Sequence, residues 1–519
     1  MKKTTILWAD DEIELLKPHI LFLESKGYEV IAVNNGNDAI EESSNPNIDI
    51  VFLDEQMPGI TGLEALEQIK RRNPNVPVVM ITKSEAEDIM EAAIGAHIND
   101  YLIKPVNPHQ ILLSIKKNLD QKDIITQTTT QTYQAEFSQL GMQIASAETW
   151  QDWIAVHKEL THWETKLSQS KDRAMNAVFV MQKNDADVQF AKFIKRNYIS
   201  WLNTNNPDKP LLSPNVVKEK IVPLIKSGRQ TLMLLIDNLR YDHWCNLRPL
   251  LSEYYNITED SQYYSILPTC TQYARNSIFA GLMPLDIEKM YPELWKNDDD
   301  EDEAKNRYEE ELLATQLKRL GYTEKFFFEK ITSINPGRRV VDKLQAIQQH
   351  QFSVIVYNFV DTLSHARTEM DMIKELAADE AAYRSLTYSW FTHSTLFELL
   401  QELSSKHINI VITTDHGSVR VQNPIKVLAD KSVTSNLRYK QGKALNYNPK
   451  EVFEIKKPHE AHLPMVNLSS TYIFATNQDF FAYPNNFNYY AKYYRDSFQH
   501  GGVSLDEIII PCVHLQPKR

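Results

Sequence analysis

The sequence predicts an α/β chain with two sheet domains separated by a small helical bundle. Three observations predict it. Residues 1–120 alternate short apolar runs with helical patterns. Residues 134–203 carry apolar and aromatic side chains at helical spacing, with almost no Gly or Pro. From about 215 to the end, the strand and helix signals return.

In the first segment Ile6-Leu7-Trp8 reads as a strand, followed by Asp10-Asp11-Glu12 and a helical pattern to about Lys26. Further strands are expected at Val30–Val33, Ile48–Leu53, Val76–Ile81 and Asp100–Ile103. A five-strand βα series implies a parallel sheet. The polar run Thr126–Thr132 has no helical face and reads as a hinge. In the middle segment Phe137, Leu140, Trp150, Trp153, Trp163, Phe190, Phe193 and Trp201 recur with helical spacing. These Trp residues are expected in a core rather than as a nucleotide-stacking platform. Three prolines between Asn203 and Pro214 mark the next boundary. The acidic run Lys296–Glu303 reads as a solvated loop rather than a cation site. The expected domains are therefore 1–120, 134–203 and 215–519.

The chain has 519 residues, 42% of them hydrophobic, enough for several cores. No apolar run approaches the ~18 residues needed to cross a bilayer, so no membrane insertion is expected. The N-terminus reads as a first strand, not a signal peptide. Cys245, Cys270 and Cys512 are too few and scattered for a disulfide framework, which fits a reducing cytoplasm. A net charge of −12 argues against duplex DNA binding, because phosphate recognition needs a basic surface.

Asp10, Asp11 and Asp54 all fall just past strands. Crowded carboxylates repel and call for a cation, usually Mg²⁺. Thr82 and Lys104 end two further strands, and a hydroxyl and an ammonium beside such a site suit a phosphorylated aspartate. With Met57-Pro58-Gly59 and Lys104-Pro105 in register, residues 1–120 resemble a response-regulator receiver domain, which implies a flavodoxin-like fold. The resemblance implies that Asp54 is the phosphoacceptor, that Asp11 binds Mg²⁺ directly and Asp10 through water, and that the Gln56 carbonyl is a further contact. It also implies that Thr82, Tyr101 and Lys104 form the switch, with Tyr101 as an ordinary half-buried strand residue the alternative. Lys83 departs from the small residue expected after Thr82 and would hinder or contact the phosphoryl group. A cognate sensor histidine kinase and a phosphorylation-dependent homodimer are the partners implied.

The second half repeats the strand-end logic. Leu232–Ile236 runs into Asp237, Val354–Val360 into Asp361 with His365 four residues on, and Ile410–Thr414 into Asp415-His416-Gly417. His500-Gly501-Gly502 precedes the strand-like Glu507–Ile510. Ligands of open α/β sheets bind at the carboxyl ends of strands, so these groups are expected to converge on a two-metal hydrolase site. Adjacent Asp415 and His416 need a sharp turn, which Gly417 permits. Between Asp237 and Asp361 lies Pro268-Thr269-Cys270-Thr271, opening a helix. A hydroxyl there can be ionised beside a metal, while the helix N-terminus favours an anion.

This pattern resembles the alkaline-phosphatase superfamily. The sequences Ile236–Tyr241 and His500–Pro511, with the linked receiver, resemble its PglZ branch. The whole chain is similar to the PorX-type regulators of type IX secretion in Bacteroidota. The resemblance implies two Zn²⁺ ions. One would be held by Asp361, His365 and His500. The other would be held by Asp237, Asp415, His416 and the Thr271 oxygen. Thr271 would attack phosphorus, with Thr269 the rival nucleophile and Cys270 between them as packing. Arg275 and Asn276 follow by about one turn, and either could bind a non-bridging oxygen; an exposed Arg275 is the alternative. His459 and His462 read as loop or substrate-side residues. Tyr263, Tyr264, Tyr273 and Phe279 would either stack on a base or pack.

Sulfatase chemistry is disfavoured, because Cys270 is followed by Thr271-Gln272 and not by x-Pro. The expected function is a phosphorylation-controlled phosphodiesterase acting on nucleotide-like substrates. The alternative is an adaptor with a structural zinc site, acting by phosphorylation-dependent contacts with a sigma factor or type IX secretion components.

Overall fold

The structure is a computed structural model. It describes residues 3–518 except 46, 74–75, 84–97, 171, 204–205, 298–304, 332–339, 371–373, 375–376, 378, 429–433 and 466–468. The acidic run at 298–303 thus lies outside the described residues. The chain divides into two compact units. The first is Met1–Thr132 with Gln169–Asp172, and the second is Tyr133–Ser168 with Arg173–Arg519.

In the first unit, strands β1 (Thr5–Ala9), β2 (Glu29–Val33), β3 (Ile48–Asp54), β4 (Val78–Thr82) and β5 (Asp100–Ile103) form a parallel sheet of order β2-β1-β3-β4-β5. Ile6, Trp8, Ile50, Phe52, Val79 and Ile81 pack on one face. Leu7, Ala9, Val51, Leu53, Val78 and Met80 pack on the other. A sheet covered on both faces needs such near-continuous apolar runs. Parallel pairing brings Asp10, Asp54, Thr82 and Lys104 to one edge. The Thr-rich stretch 126–132, expected as a hinge without helical character, is helical, since helix Gln121–Ser146 runs through it, and the boundary between the two units falls at its end, after Thr132. Thr lowers helix propensity only slightly. Once nucleated on either side, a helix propagates through such a run, which itself holds no Gly or Pro.

The second unit is built on a six-stranded sheet. Its strands are β6 (Thr231–Ile236), β7 (Tyr255–Tyr264), β8 (Phe327–Ile331), β9 (Phe352–Tyr357), β10 (Asn409–Thr413) and β18 (Ile509–Pro517), in the order β7-β18-β10-β6-β9-β8. Three small sheets flank it: β11 (Val419–Arg420) with β17 (Phe498–Gln499), β12 (Asn423–Lys426) with β16 (Asp479–Ala482), and β15 (Thr471–Ala475) between β13 (Tyr439–Gly442) and β14 (Val452–Ile455). Strands β10, β6, β9 and β8 are parallel neighbours. β18 runs antiparallel to both β10 and β7, pairing Cys512 with Thr413 and Ile509 with Tyr264. The start of β18 and the end of β7 therefore share the edge reached by the ends of β10, β6 and β9.

Two boundaries differ from expectation. Glu507–Ile508 belong to a helical turn, Leu505–Ile508, capped by the Ser504 hydroxyl, and the strand begins only at Ile509. The β9 strand stops at Tyr357, and a helix, Phe359–Glu369, carries both Asp361 and His365.

Helices Trp150–Ser168 and Arg173–Trp201 form the middle helical region, and its core is continuous with the sheet domain. Trp153 packs on Phe190 at 5.3 Å and Trp201 on Tyr264 at 5.3 Å, so these tryptophans serve packing. The same interface holds a buried ion network. The Asp506 carboxylate accepts from Lys183 Nζ at 2.9 Å and lies 3.1 Å from His157 Nε2. Lys183 also reaches Glu164 at 2.7 Å. Burial works against the charge on Asp506, but Lys183 and Arg240 hold its carboxyl well below the ordinary range. Removing one partner of such a network leaves buried charge uncompensated. Asp506→Ala is expected to cost about 3–5 kcal/mol in urea unfolding followed by Trp fluorescence, and a cost below about 1 kcal/mol would contradict the assignment.

Candidate metal centre and nucleophile

The ends of three adjacent parallel strands supply the carboxylates. Asp237 follows β6, Asp415 follows β10, and Asp361 lies one helical turn beyond β9. Asn238, in the left-handed region at φ 61°, turns the chain after Asp237. Its Nδ2 donates to Asp361 Oδ1 at 3.3 Å. Asn is among the residues that tolerate this conformation best. Gly417 is required for a reason other than the expected turn. A Cβ there would meet the Asp506 carbonyl oxygen at 1.9 Å. Gly501 does need its conformation, at φ 120°.

The donors fall into two sets, each with three ligand atoms within 4.8 Å of one another: Asp361, His365 and His500; and Asp237, Asp415 and His416. Asp361 lies 3.3 Å from His365 Nε2 and 3.6 Å from His500 Nε2. His416 Nε2 lies 3.5 Å from Asp237 and 3.9 Å from Asp415. The His416 and His500 rings stack at 4.1 Å. Their other nitrogens face carbonyls: His500 Nδ1 lies 3.2 Å from Thr269 O, and His416 Nδ1 3.0 Å from Gly417 O. Donation to those carbonyls leaves each Nε2 as a lone-pair ligand, the usual way a metal-binding imidazole is oriented. Burial, with His416 beside it, pushes the His500 imidazole down to about 3, so it is neutral and able to ligate.

The carboxylates divide: burial opposes the charge on Asp361, yet His365 and His500 hold it well below the ordinary range, while the other two are raised. Burial drives Asp237 well above the ordinary range, with Asp415 adding and Arg275 opposing. Burial likewise raises Asp415. Asp415 Oδ2 is buried and accepts no hydrogen bond among the described residues. Oxygen and imidazole donors, fixed second nitrogens and an unmatched buried oxygen together fit a pair of divalent cations.

Thr271 opens helix Thr271–Ala280, with Cys270 buried at its N-cap. Its Oγ1 lies 3.1 Å from His416 Nε2 and 3.5 Å from Asp237 Oδ1. Thr269 is placed differently. Its fully buried hydroxyl donates to Gly502 O at 2.9 Å and accepts from Gly501 N at 3.0 Å.

Arg275 is not exposed: it lines the cavity with its guanidinium taken up by carboxylates. It is 1% exposed and pairs with Asp237 at 3.0 Å, Glu309 at 2.8 Å and Asp415 at 3.7 Å. Asn276 is turned away from the cavity; its amide donates to Lys305 O and accepts from Asn306. Asn306 in turn donates to Thr271 O at 3.1 Å, which ties a loop of Lys305, Asn306 and Arg307 over the helix N-terminus. These three residues, with Lys330, line a cavity of about 920 Å³ together with Thr271, Asp361, His365 and His500. Sequence reasoning missed the loop, which directly follows the acidic run. The only signal was two cations flanking an Asn.

The remaining expected residues have other partners. His462 pairs with Asp286 at 3.0 Å and His459 is exposed. Tyr263, Tyr264, Tyr273 and Phe279 are buried in the core, so packing rather than stacking on a ligand accounts for them. Tyr263 donates its hydroxyl to the Thr414 carbonyl, just before Asp415.

In the first unit Asp10, Asp11 and Asp54 also offer donors within 4.8 Å of one another. Lys104 Nζ bridges Asp10 at 2.8 Å and Asp54 at 3.0 Å. Burial pushes Asp54 up to about 6, while its hydrogen bond from Lys104 pulls the other way. Thr82 donates to the Glu55 carboxylate. Lys83 is exposed, 3.5 Å from Glu12. Gln56 is exposed on the loop after Asp54, and Tyr101 is half-buried against the sheet core.

A mixed α/β sheet with paired Asp/His sets around a helix-opening hydroxyl defines an alkaline-phosphatase-like domain, here joined to a five-stranded receiver-like unit. Residues 216–515 match the BREX system PglZ alkaline phosphatase-like domain, 123–202 the PorX response regulator linker domain, and 6–116 the response regulator receiver domain. The chain belongs to the PglZ family and is a PorX-type two-component regulator, a receiver coupled to a PglZ domain.

Curated relatives match at the receiver. The transcriptional regulatory protein ResD of Bacillus subtilis (strain 168) is 32% identical over 114 residues, 22% of this chain and 47% of that protein. The transcriptional regulatory protein ZraR of Klebsiella oxytoca is 31% identical over 140 residues, 27% of this chain and 32% of that protein. The chain thus spans half or less of the length of these relatives. Among solved structures, a CheY-like receiver domain protein from Methanospirillum hungatei JF-1 is 28% identical, covering 23% of this chain and 95% of that one, with a TM-score of 0.22. The receiver domain of sensor histidine kinase PA1611 from Pseudomonas aeruginosa PAO1, with a magnesium ion in its active site cleft, is 23% identical, covering 23% and 98%, with a TM-score of 0.22. No helix among the described residues is long and apolar enough to cross a membrane.

The two donor sets predict separable metal losses. If each donor set holds one divalent ion, His365→Ala is expected to lower the metal content by one ion and His416→Ala by another, read by elemental analysis after gel filtration. Unchanged metal content in both variants would contradict the assignment.

Proposed function

We propose that the chain is a phosphorylation-controlled response regulator whose PglZ domain is a zinc-dependent phosphodiesterase, acting on nucleotide or oligonucleotide phosphodiesters and regulating type IX secretion. The observation that carries this reading is the Thr271 hydroxyl. It opens a helix, within 3.5 Å of both His416 and Asp237, inside a cavity that also exposes Asp361, His365 and His500.

Zinc held by Asp361, His365 and His500, and by Asp237, Asp415 and His416, would lower the hydroxyl pKa and offset charge on the phosphoryl oxygens. Thr271 Oγ1 gives up its proton and attacks phosphorus, and the leaving alkoxide takes up a proton as it departs. Water then hydrolyses the threonyl ester and restores the hydroxyl. The amides opening helix Thr271–Ala280 favour the anion at this position. Thr269, its hydroxyl held by Gly501 and Gly502, is the weaker candidate nucleophile. Arg275 acts on the carboxylates, holding Asp237 and Asp415 together against their repulsion, and not on substrate.

The volume supports a substrate larger than a phosphate monoester of a small alcohol. About 920 Å³ lies at the upper end of the range for small-ligand sites. Lys305, Arg307 and Lys330 at its wall suit a polyanion.

In the receiver, Asp54 would accept a phosphoryl group from a sensor histidine kinase. Asp10, Asp11 and Asp54, with the Gln56 carbonyl, would hold Mg²⁺, while Lys104 offsets the added charge. Thr82 would leave Glu55 for the phosphoryl oxygen, with Tyr101 following as the receiver face changes. That face would then pair with a second copy. Cys245, Cys270 and Cys512 form no disulfide among the described residues, which suits a reducing compartment, and we place the regulator in the cytoplasm.

Thr271→Val is expected to lower kcat for a zinc-loaded phosphodiesterase assay about 10³-fold or more with metal content unchanged. Zinc-loaded wild type that cleaves no phosphodiester would sink the enzymatic reading and leave the adaptor alternative. For the receiver, beryllofluoride with Mg²⁺ is expected to shift sedimentation from monomer to dimer, and Asp54→Asn to abolish the shift. Identical profiles with and without the mimic would contradict the coupling, for which ~1–3 kcal/mol is ordinary.

A further inference from the structure

A second cavity, of about 600 Å³, lies near the catalytic one, and none of the groups assigned above uses it. Its wall carries four cations, Lys374, Arg420, Lys492 and Arg495, and two tyrosines, Tyr489 and Tyr493, against a single carboxylate, Asp496. On a chain of net charge −12 this is a marked local excess of positive charge. The short helix Phe487–Tyr494 supplies Tyr489, Lys492 and Tyr493, and Lys374, Arg420 and Arg495 come from the chain outside it.

The tyrosines form an accessible platform. Tyr489 is 63% exposed and stacks on Tyr493, one helical turn on, at 5.9 Å with 14° between the rings. Lys374 Nζ sits 4.9 Å over the Tyr493 ring. Lys492 and Arg495 are exposed. Arg420 is fixed by Asp496 at 2.8 Å and Glu380 at 3.4 Å, yet its Nε is buried with no hydrogen-bond partner among the described residues. Two parallel phenol faces one turn apart, bordered by flexible cations, match what an unpaired nucleotide chain offers: base faces for stacking and phosphates between them. An acidic peptide would use the cations but leaves the exposed ring faces without a function.

The position of the cavity strengthens this. Ser497 lies in its wall and His500 in the wall of the catalytic cavity, so the two are joined by three residues, at most ~10 Å of extended chain. Gln499 lines the catalytic cavity, and its Nε2 donates to Ser497 Oγ at 3.0 Å and lies 3.5 Å from Thr368 Oγ1, at the end of the helix bearing Asp361 and His365. A strand cut at Thr271 could therefore continue onto the tyrosines.

We propose that Tyr489, Tyr493, Lys374, Arg420, Lys492 and Arg495 form an exosite for single-stranded nucleic acid, which holds the nucleotides flanking the scissile phosphodiester. The proposal rests on the phosphodiesterase reading for its role in catalysis, but not for its binding. Duplexes are excluded from it, because their base faces are buried in stacking.

The test uses the full chain carrying Thr271→Val, to prevent turnover, and a fluorescein-labelled oligothymidylate in an anisotropy titration. Adding Lys492→Glu with Arg495→Glu, or Tyr489→Ala with Tyr493→Ala, is expected to weaken binding about tenfold or more. All four positions are exposed or half-exposed, so the variants keep the core. Unchanged affinity in both double variants overturns the exosite, as does equal competition by a poly-glutamate peptide of matched charge. With Thr271 left intact, each double variant is expected to lower the ratio of kcat/KM for a long oligonucleotide to that for a dinucleotide by a similar factor; an unchanged ratio contradicts the catalytic role. Wild type that cleaves no phosphodiester removes the phosphodiesterase reading, while the anisotropy result still decides whether the exosite exists.

Discussion

Three carboxylates, Asp237, Asp361 and Asp415, are held within reach of one another at the ends of adjacent parallel strands, and their mutual repulsion is the constraint on which the second unit is organised. Away from bulk water such a group is costly unless cations answer it. The chain answers part of the charge itself. Arg275, fully buried, reaches Asp237 and Asp415 from a helix that begins at Thr271, and Glu309 and Lys330 continue the alternation of sign. The raised Asp237 and Asp415 show that this answer is incomplete, and the three histidines complete a donor set suited to metal. The proposed chemistry and the structural electrostatics thus rest on the same groups.

The surrounding structure serves to keep those groups fixed. The loop bearing His500 is anchored by Glu507, which accepts from Gly502 N at 2.9 Å and pairs with the buried Arg438 at 2.6 Å. The turn bearing His416 is pressed by Gly417 against the Asp506 carbonyl, and the Asp506 carboxylate is held by Lys183 and His157 of the helical region. A displacement of those helices would be felt one residue from a ligand. This is a physical route by which the middle region can bear on the site, in addition to its share of the hydrophobic core.

Much of this was legible in the sequence because the same physics writes both. A strand buried on both faces must be a continuous apolar run, so Leu232–Ile236 and Ile410–Thr413 announce themselves, and a charged residue that ends such a run while staying buried needs a partner at the sheet edge. Asp237, Asp415, His416 and the pair Asp361 and His365 were found that way, as were Asp10 and Asp54. What was not legible depends on tertiary contact. Arg275 lies in a helix buried all round, so no polar face signalled where its side chain goes. Thr269 and Thr271 are indistinguishable by type; only the carbonyl and amide of the Gly501–Gly502 loop, more than two hundred residues away, separate their hydroxyls. The stretch 126–132 misled because composition was read without its neighbours, although helix formation is cooperative. Gly417 was correctly seen as special, but the reason is a close approach from Asp506 and not a turn.

The central claim is that Thr271 forms the covalent bond to phosphorus. It is tested most directly by mixing excess phosphodiester with zinc-loaded protein, quenching in acid within the first turnover, and mapping adducts by peptide mass spectrometry. The account predicts a nucleotidyl ester on the peptide at Thr271 that disappears in Thr271→Val. An adduct on Thr269, or turnover with a burst of product and no adduct on either threonine, would contradict it.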